Sequence, residues 1–222
     1  MPPDDSFLTA TRDSYDAIAL EYADMVGGDI EARVVDRALL AAFAELVQAN
    51  GGGPVVDVGC GPGRITTVLH QLGLDAFGID LSPAMVELAR HTHPQLRFEV
   101  GSMLGLDLLA DSLGGLLAYY SIIHVPRGRR GEVFAEFFRV LVPGGPLMLA
   151  YQVGDDISHY DEAFGKVVRL DFHRQQPLDV GGLVRAAGFD VLATVVKEPE
   201  GTDRTQQAIT LARKPCDETG QA

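Results

Sequence analysis

The residues with the clearest chemistry lie in one stretch, Pro54-Val55-Val56-Asp57-Val58-Gly59-Cys60-Gly61-Pro62-Gly63-Arg64. Compact and β-branched residues precede an acid, three glycines follow at alternate positions, and Ile65 to His70 then takes up a helical period. A strand that breaks into glycines and re-enters a helix presents backbone N–H groups at a helix N-terminus, which suits a ligand held by main-chain contacts. Glycine fits such a loop because a Cβ would keep the ligand off the backbone. The same loop is also compatible with a plain strand-to-helix turn. A second acid, Asp80, ends the run Asp75-Ala76-Phe77-Gly78-Ile79-Asp80. Two imidazoles are candidate general bases: His124, in Ser121-Ile122-Ile123-His124-Val125-Pro126, and His173, followed by Arg174. His124 has a structural alternative, bonding the loop that follows it.

These residues need elements to position them. From Asp13 to Val26 the residues Tyr15, Ile18, Ala19, Tyr22, Met25 and Val26 recur at helical spacing, which predicts an amphipathic helix ended by Gly27-Gly28, with residues 1–10 loose. A second helix is expected from about Ile30 to Asn50, burying Val34, Val35, Ala38, Leu39, Ala42, Phe43 and Leu46. Strands are expected at 54–58, 75–80, 96–100, 113–121 and 146–153, separated by helices at 63–73, 82–91 and 131–141. Ser82 is a good N-cap, with Pro83 at the first helical position. Residues 154–177 read as a loop with a short helix, 178–187 as a helix, and 189–197 and 205–213 as the last two strands. The alternation predicts an α/β fold: a doubly wound, mostly parallel seven-stranded sheet with an antiparallel last strand and helices on both faces. One domain is expected over 1–222, with 13–50 forming an N-terminal helical cover and 1–12 and 214–222 flexible. Ligands of such sheets bind beyond the carboxyl ends of the strands. Those ends are Asp57 with its loop, Asp80, Gly101-Ser102-Met103, Tyr120-Ser121 and Tyr151.

Composition narrows the partners. The chain carries 18 basic and 31 acidic residues, a net charge of −13, so a phosphate-gripping surface is not expected. The densest basic run, Arg127-Gly128-Arg129-Arg130, reads as a solvated helix start. A cationic or neutral small molecule suits an acidic surface better. Two cysteines, one of them inside the glycine loop, do not suggest a disulfide framework, and no Cys/His cluster has metal-ligand spacing. No apolar run approaches a membrane span, and the acidic start is not a secretory signal. A cytoplasmic location and a monomer or homodimer are expected.

The G-x-G-x-G spacing, with an acid two residues before the first glycine, resembles motif I of the class I S-adenosylmethionine (SAM) methyltransferases. Gly78-Ile79-Asp80, Tyr119 to His124 and Arg139-Val140-Leu141-Val142-Pro143-Gly144-Gly145 extend that resemblance over roughly 13–213. The resemblance implies a Rossmann-like fold and transfer of the methyl of SAM, leaving S-adenosylhomocysteine, to an O, N or C atom of a small molecule. It places Gly59, Cys60, Gly61 and Gly63 against the methionine part of the cofactor, with Asp57 holding the loop and the ammonium. Asp80, with Leu81 beside it, would accept both ribose hydroxyls. The family usually has an acid after the third strand for the adenine amino group; here Ser102 stands there, with the Met103 N–H available to the ring. Tyr120 lies at the fourth strand's end, and Tyr15 and Tyr22 share a helix face that would close over the cofactor. His159, Tyr160, Phe164, Phe172 and His173 are candidate substrate contacts. The alternatives are a non-catalytic SAM-binding protein or a cyclase on the same scaffold, an RNA or protein methyltransferase, and an NAD-dependent oxidoreductase.

Overall fold

The computed structural model describes residues 5–26 and 29–216. In chain order it begins α1 (Ser6–Val26), α2 (Asp29–Ala32), α3 (Val34–Ala49), β1 (Pro54–Val58), α4 (Arg64–Gln71), β2 (Asp75–Asp80), α5 (Pro83–Thr92) and β3 (Arg97–Val100). It continues with β4 (Gly115–Tyr119), α6 (Arg130–Val140), β5 (Pro146–Gln152), β6 (Ile157–Ala163), β7 (Lys166–His173), α7 (Pro177–Ala186), β8 (Asp190–Lys197) and β9 (Gln207–Arg213). Seven strands form one sheet in the order β3-β2-β1-β4-β5-β9-β8. The first five run parallel, and β9 inserts antiparallel between β5 and β8.

Both faces of the sheet are covered, so its central strands are apolar at consecutive positions. Val55, Leu117 and Met148 point to one face, against Leu40, Phe43 and Val47 of α3. Their neighbours Val56, Leu116 and Leu147 point to the other, against Phe134 and Phe137 of α6. Each such buried side chain contributes about 1.5–3 kcal/mol. Tyr151 is fully buried and shares a hydrogen bond with Thr210 at 3.0 Å, so this strand end belongs to the core.

The departures from expectation lie outside the sheet. Helix α1 starts at Ser6, well before Asp13, so residues 6–12 are helical rather than loose. Gly27-Gly28 lies outside the described residues. The second helix is broken at Arg33, whose φ and ψ of −86° and 83° are not helical and whose guanidinium bonds both carboxylate oxygens of Asp203 at 2.9 Å. Helix α3 then buries Leu40, Phe43, Ala44 and Val47, while Val34 and Val35 face solvent at 63% and 45% exposure. A buried acid fixes that rotation: Asp36 accepts the Tyr119 hydroxyl at 2.7 Å and pairs with Lys197.

The segment read as a loop is a β-hairpin. Strands β6 and β7 pair antiparallel as a separate two-stranded sheet. They are joined at Phe164-Gly165, both with positive φ, which is the hand that two-residue hairpin turns require. Val168 and Leu170 of β7 pack on Ile18 of α1, with Tyr15, Tyr22 and Phe172 at the edge of the cluster. At the other end Lys214 is held, its Nζ reaching the Asp111 carboxylate at 2.5 Å and the carbonyls of Phe138 and Leu141 at 2.9 Å; residues 217–222 lie outside the described residues.

Candidate active site

The glycine loop is hung on the neighbouring strand. The N–H groups of Gly59 and Cys60 both donate to the carbonyl of Ile79, at 2.7 and 3.1 Å. Gly59 has φ of 73°, and a Cβ there would lie 2.2 Å from the Cβ of Ser121, so conformation and space both demand glycine. At Gly61 a Cβ would meet only the Tyr22 ring, 3.9 Å away. The loop backbone therefore opens upward at Gly61, toward α1. Asp80 reaches back from the end of β2: Oδ2 accepts the Gly61 N–H at 2.7 Å and Oδ1 the Ser82 N–H at 2.8 Å. Both oxygens are thereby fixed, and each keeps a further lone pair for a donor. Burial raises the Asp80 pKa against the opposing pull of those N–H bonds.

Asp57 sits below this loop. It is 1% exposed, accepts the Thr66 hydroxyl at 2.8 Å, and burial pushes its pKa up to about 7. The Cys60 side chain packs with Val86, Ala89 and Phe98. Gly63 caps α4 with φ of 85°, the Phe98 ring 2.7 Å from where its Cβ would stand. These three brace the loop and do not line the cavity above it.

That cavity, about 100 Å³, is lined by Gly59, Gly61, Asp80, Leu81, Ser102, Met103, Tyr15, Tyr22, Tyr120 and His124. Phe7, Leu8, Thr11 and Arg12 also line it, and sequence reasoning missed them. Their signal was present, since Phe7, Thr11, Tyr15, Ile18 and Tyr22 fall three or four residues apart on one helical stripe. The helix is fastened over the strand ends. Asp16 accepts the Ser82 hydroxyl at 2.5 Å and the Ala84 N–H at 3.1 Å, while Ser82 caps α5 by accepting the Met85 N–H at 3.1 Å. From the hairpin, Lys166 reaches the Ala17 carbonyl at 2.7 Å and the Arg169 N–H donates to Ser14 at 2.8 Å.

Tyr15 and His124 form the polar contact under this cover. The His124 Nδ1 lies 2.9 Å from the carbonyl of Asp171, an atom that can only accept, so Nδ1 carries the proton. Nε2 therefore presents its lone pair, and the Tyr15 hydroxyl donates to it at 2.8 Å. Burial lowers the His124 pKa to about 4 and raises that of Tyr15 well above its ordinary value. Tyr120 enters at φ of 55°, a strained conformation for a tyrosine and one that recurs at functional sites. A second cavity of about 360 Å³ adjoins the first and shares Tyr15, Tyr22, Tyr119 and Tyr120 with it; Tyr160, Phe164 and Phe172 line its outer side. His173 lines neither cavity, and burial with the nearby Arg130 charge lowers its pKa. His159 is taken up at the hairpin surface by Asp171 and Asp161, at 2.6 and 2.9 Å.

Residues 55–145 match the family model of a methyltransferase domain. That stretch is under half of the chain, and it is similar to the class I SAM-dependent methyltransferases. Similar curated proteins include the trans-aconitate 2-methyltransferase of Delftia acidovorans, 34% identical over 132 residues, which are 59% of this chain and 46% of that one. The chain spans about half the length of the curated relatives it matches. Among solved structures, the magnesium protoporphyrin IX methyltransferase of Synechocystis PCC 6803 with bound SAM superposes over 94% of this chain and 97% of its own, at 18% identity and a TM-score of 0.69. The [4+2]-cyclase SpnF superposes over 95% and 97%, at 18% identity and a TM-score of 0.73. This methyltransferase fold is thus shared with a cyclase. Among the described residues no cluster of His, Cys, Asp and Glu could hold a metal, and no helix is long and apolar enough to cross a membrane.

Proposed function

We propose that the protein transfers the methyl group of SAM to a small-molecule acceptor. The observation that carries this reading is the meeting, in one cavity, of the open Gly59–Gly61 backbone and a fixed Asp80 carboxylate with the Tyr15–His124 pair. The donor set suits an adenosyl amino acid. Asp80 would accept ribose hydroxyls, Ser102 and the Met103 N–H would face the adenine, and the loop backbone would face the amino-acid end. The cavity's present 100 Å³ is below the roughly 300 Å³ that small-molecule sites begin at, so α1 must yield to admit such a ligand.

Bound there, SAM supplies a methyl carbon on a sulfonium: the acceptor's lone pair forms the new bond while the C–S pair returns to sulfur. The chain's part is to orient the acceptor and exclude water, and α1 with the β6–β7 hairpin forms the cover that does so. An acceptor hydroxyl that donates to Tyr15 Oη passes its proton along this hydrogen bond, Tyr15 giving its own proton to His124 Nε2. With a pKa of about 4, holding that proton at pH 7 costs about 4 kcal/mol. The arrangement therefore favours an acceptor that arrives deprotonated, or one whose proton is lost late in transfer. The same weak basicity keeps a second reading open, a SAM-binding protein or cyclase without methyl transfer.

Incubation with methyl-labelled SAM and a metabolite panel, followed by detection of S-adenosylhomocysteine and of labelled product, separates the two. Product formation that is lost in Asp80→Ala supports the methyltransferase. Tight SAM binding with no transfer to any acceptor supports the second reading.

A further inference from the structure

The larger cavity has the volume of a small-molecule site. Its aromatic walls are packed before any ligand arrives. Ring centroids lie 5.3 Å apart for Tyr15 and Tyr22, 4.8 Å for Tyr119 and Tyr120, and 5.3 Å for Tyr160 and Phe172, each pair edge to face. Rings held in place offer apolar contact at little ordering cost, and such walls favour a flat, apolar body.

The polar end of the cavity lies where β5 pairs with β9. Gln152 and Gln207 stand directly opposite each other in that antiparallel pair, so both side chains leave the sheet on one face, with Cβ atoms about 4.5–5.5 Å apart. Both line the cavity. Gln207 is only 3% exposed, and its Nε2 donates to the Thr205 carbonyl at 2.9 Å. A carbonyl can only accept, so this bond fixes which end of the carboxamide is nitrogen. Oε1 is then an acceptor without a partner among the described residues, on a side chain almost wholly withdrawn from solvent. The Gln152 side chain makes no hydrogen bond among the described residues and keeps both a donor and an acceptor.

The charged groups of the same wall are engaged. Arg33 holds both Asp203 oxygens at 2.9 Å, and Arg64 is not free either. Tyr119 spends its hydroxyl proton on Asp36. The two carboxamides therefore carry the directional part of recognition. A withdrawn acceptor left unpaired costs more than one hydrogen bond is worth, so a ligand that brings the missing donor gains strongly over one that does not.

We infer that this second cavity seats the methyl acceptor and that the acceptor is an aromatic carboxamide, its ring among the tyrosines and its amide against the two glutamines. The amide N–H donates to Gln207 Oε1, and the amide carbonyl accepts from Gln152 Nε2. The inference rests on the methyltransferase reading above. It narrows the cationic or neutral partner expected from net charge to an uncharged one. The methylated atom is whichever one reaches the tyrosines shared with the first cavity.

Calorimetry on the full chain saturated with S-adenosylhomocysteine tests this with two ring-matched probes, 4-coumaramide and its methyl-ketone isostere, 4-hydroxybenzylideneacetone. They share ring, hydroxyl and carbonyl and differ only in an amino group against a methyl group that cannot donate. The amide is expected to bind at least about tenfold tighter. Gln207→Met should bring the two affinities within about threefold of each other. Gln152→Met, which removes the donor to the carbonyl both probes carry, should weaken both by about fivefold to tenfold and keep the preference. A ketone that binds as tightly as the amide, no binding of either probe to the S-adenosylhomocysteine complex, a preference that survives Gln207→Met, or unchanged affinities in Gln152→Met overturns the inference. S-adenosylhomocysteine is titrated first, and its failure to bind would instead undo the methyltransferase reading. Should Gln207→Met not fold, the wild-type comparison and Gln152→Met decide.

Discussion

His124 and Asp57 are buried titratable groups whose pKa values move in opposite directions, and that makes the pH dependence of stability a sharp test of the site's geometry. Burial lowers His124 from 6.5 to about 4. Between those values the unfolded chain binds a proton that the folded chain refuses, so stability is lost as pH falls through this window. The difference of roughly 2.5 pKa units corresponds to about 3 kcal/mol. Asp57 is raised from 3.8 to about 7. Here the folded chain holds the proton more tightly, so stability is lost as pH rises from 4 to 7, by about 4 kcal/mol. The two slopes largely cancel in the wild type. Urea unfolding of His124→Asn and Asp57→Asn, each subtracted from wild type at several pH values from 4 to 7.5, exposes them separately. Both replacements keep an amide for the hydrogen bonds now made, to the Asp171 carbonyl and from the Thr66 hydroxyl. The stability of His124→Asn relative to wild type should rise by about 3 kcal/mol as pH falls from 7 to 4. That of Asp57→Asn should fall by a similar amount over the same range. Parallel pH profiles for wild type and either variant would mean that the group is not buried as described.

Tyr15→Phe removes the donor to His124 Nε2 and should slow turnover by about 10²–10⁴-fold for a hydroxyl acceptor, with little change in S-adenosylhomocysteine affinity; steady-state kinetics beside calorimetry checks this. For a carboxylate acceptor the same change should cost less than about tenfold, so the variant also reports the acceptor atom's protonation. Asp16→Ala frees α1 from the α5 N-terminus, and stopped-flow should show faster release of S-adenosylhomocysteine, with about 1–2 kcal/mol lost from stability. Gly59→Ala should cost about 3 kcal/mol or more, through both its φ of 73° and the Ser121 side chain, as read by thermal unfolding.

What the sequence made legible was local. The β1 strand, its glycine turn, the Ser82-Pro83 cap and Asp80 at a strand end are each written in a handful of adjacent residues, and each lies where expected. The cover over the site was less legible because its cause is distant. Arg33 breaks a helix by pairing with Asp203, 170 positions away. Asp36 turns α3 by binding Tyr119 and Lys197. The β6–β7 hairpin hid its period of two, Val168, Leu170 and Phe172, among charged outward-facing residues such as Arg169 and Asp171. Asp57 was expected to hold the loop and the ligand's ammonium, and Cys60 and Gly63 to lie against the ligand; all three are outside the lining of the cavity, because burial, which spacing does not report, decides which face of a loop is wet. His173, expected as an alternative base, ends β7 away from both cavities.

The most direct test is a calorimetric titration of the intact chain with S-adenosylhomocysteine, repeated on Asp80→Ala after circular dichroism has shown that the variant is folded. One-to-one binding by the wild type is expected, weakened in the variant by about 10²–10⁴-fold, the worth of two hydrogen bonds to a charged acceptor. No heat with the wild type, or equal affinity in both proteins, would contradict the assignment of this cavity to an adenosyl ligand.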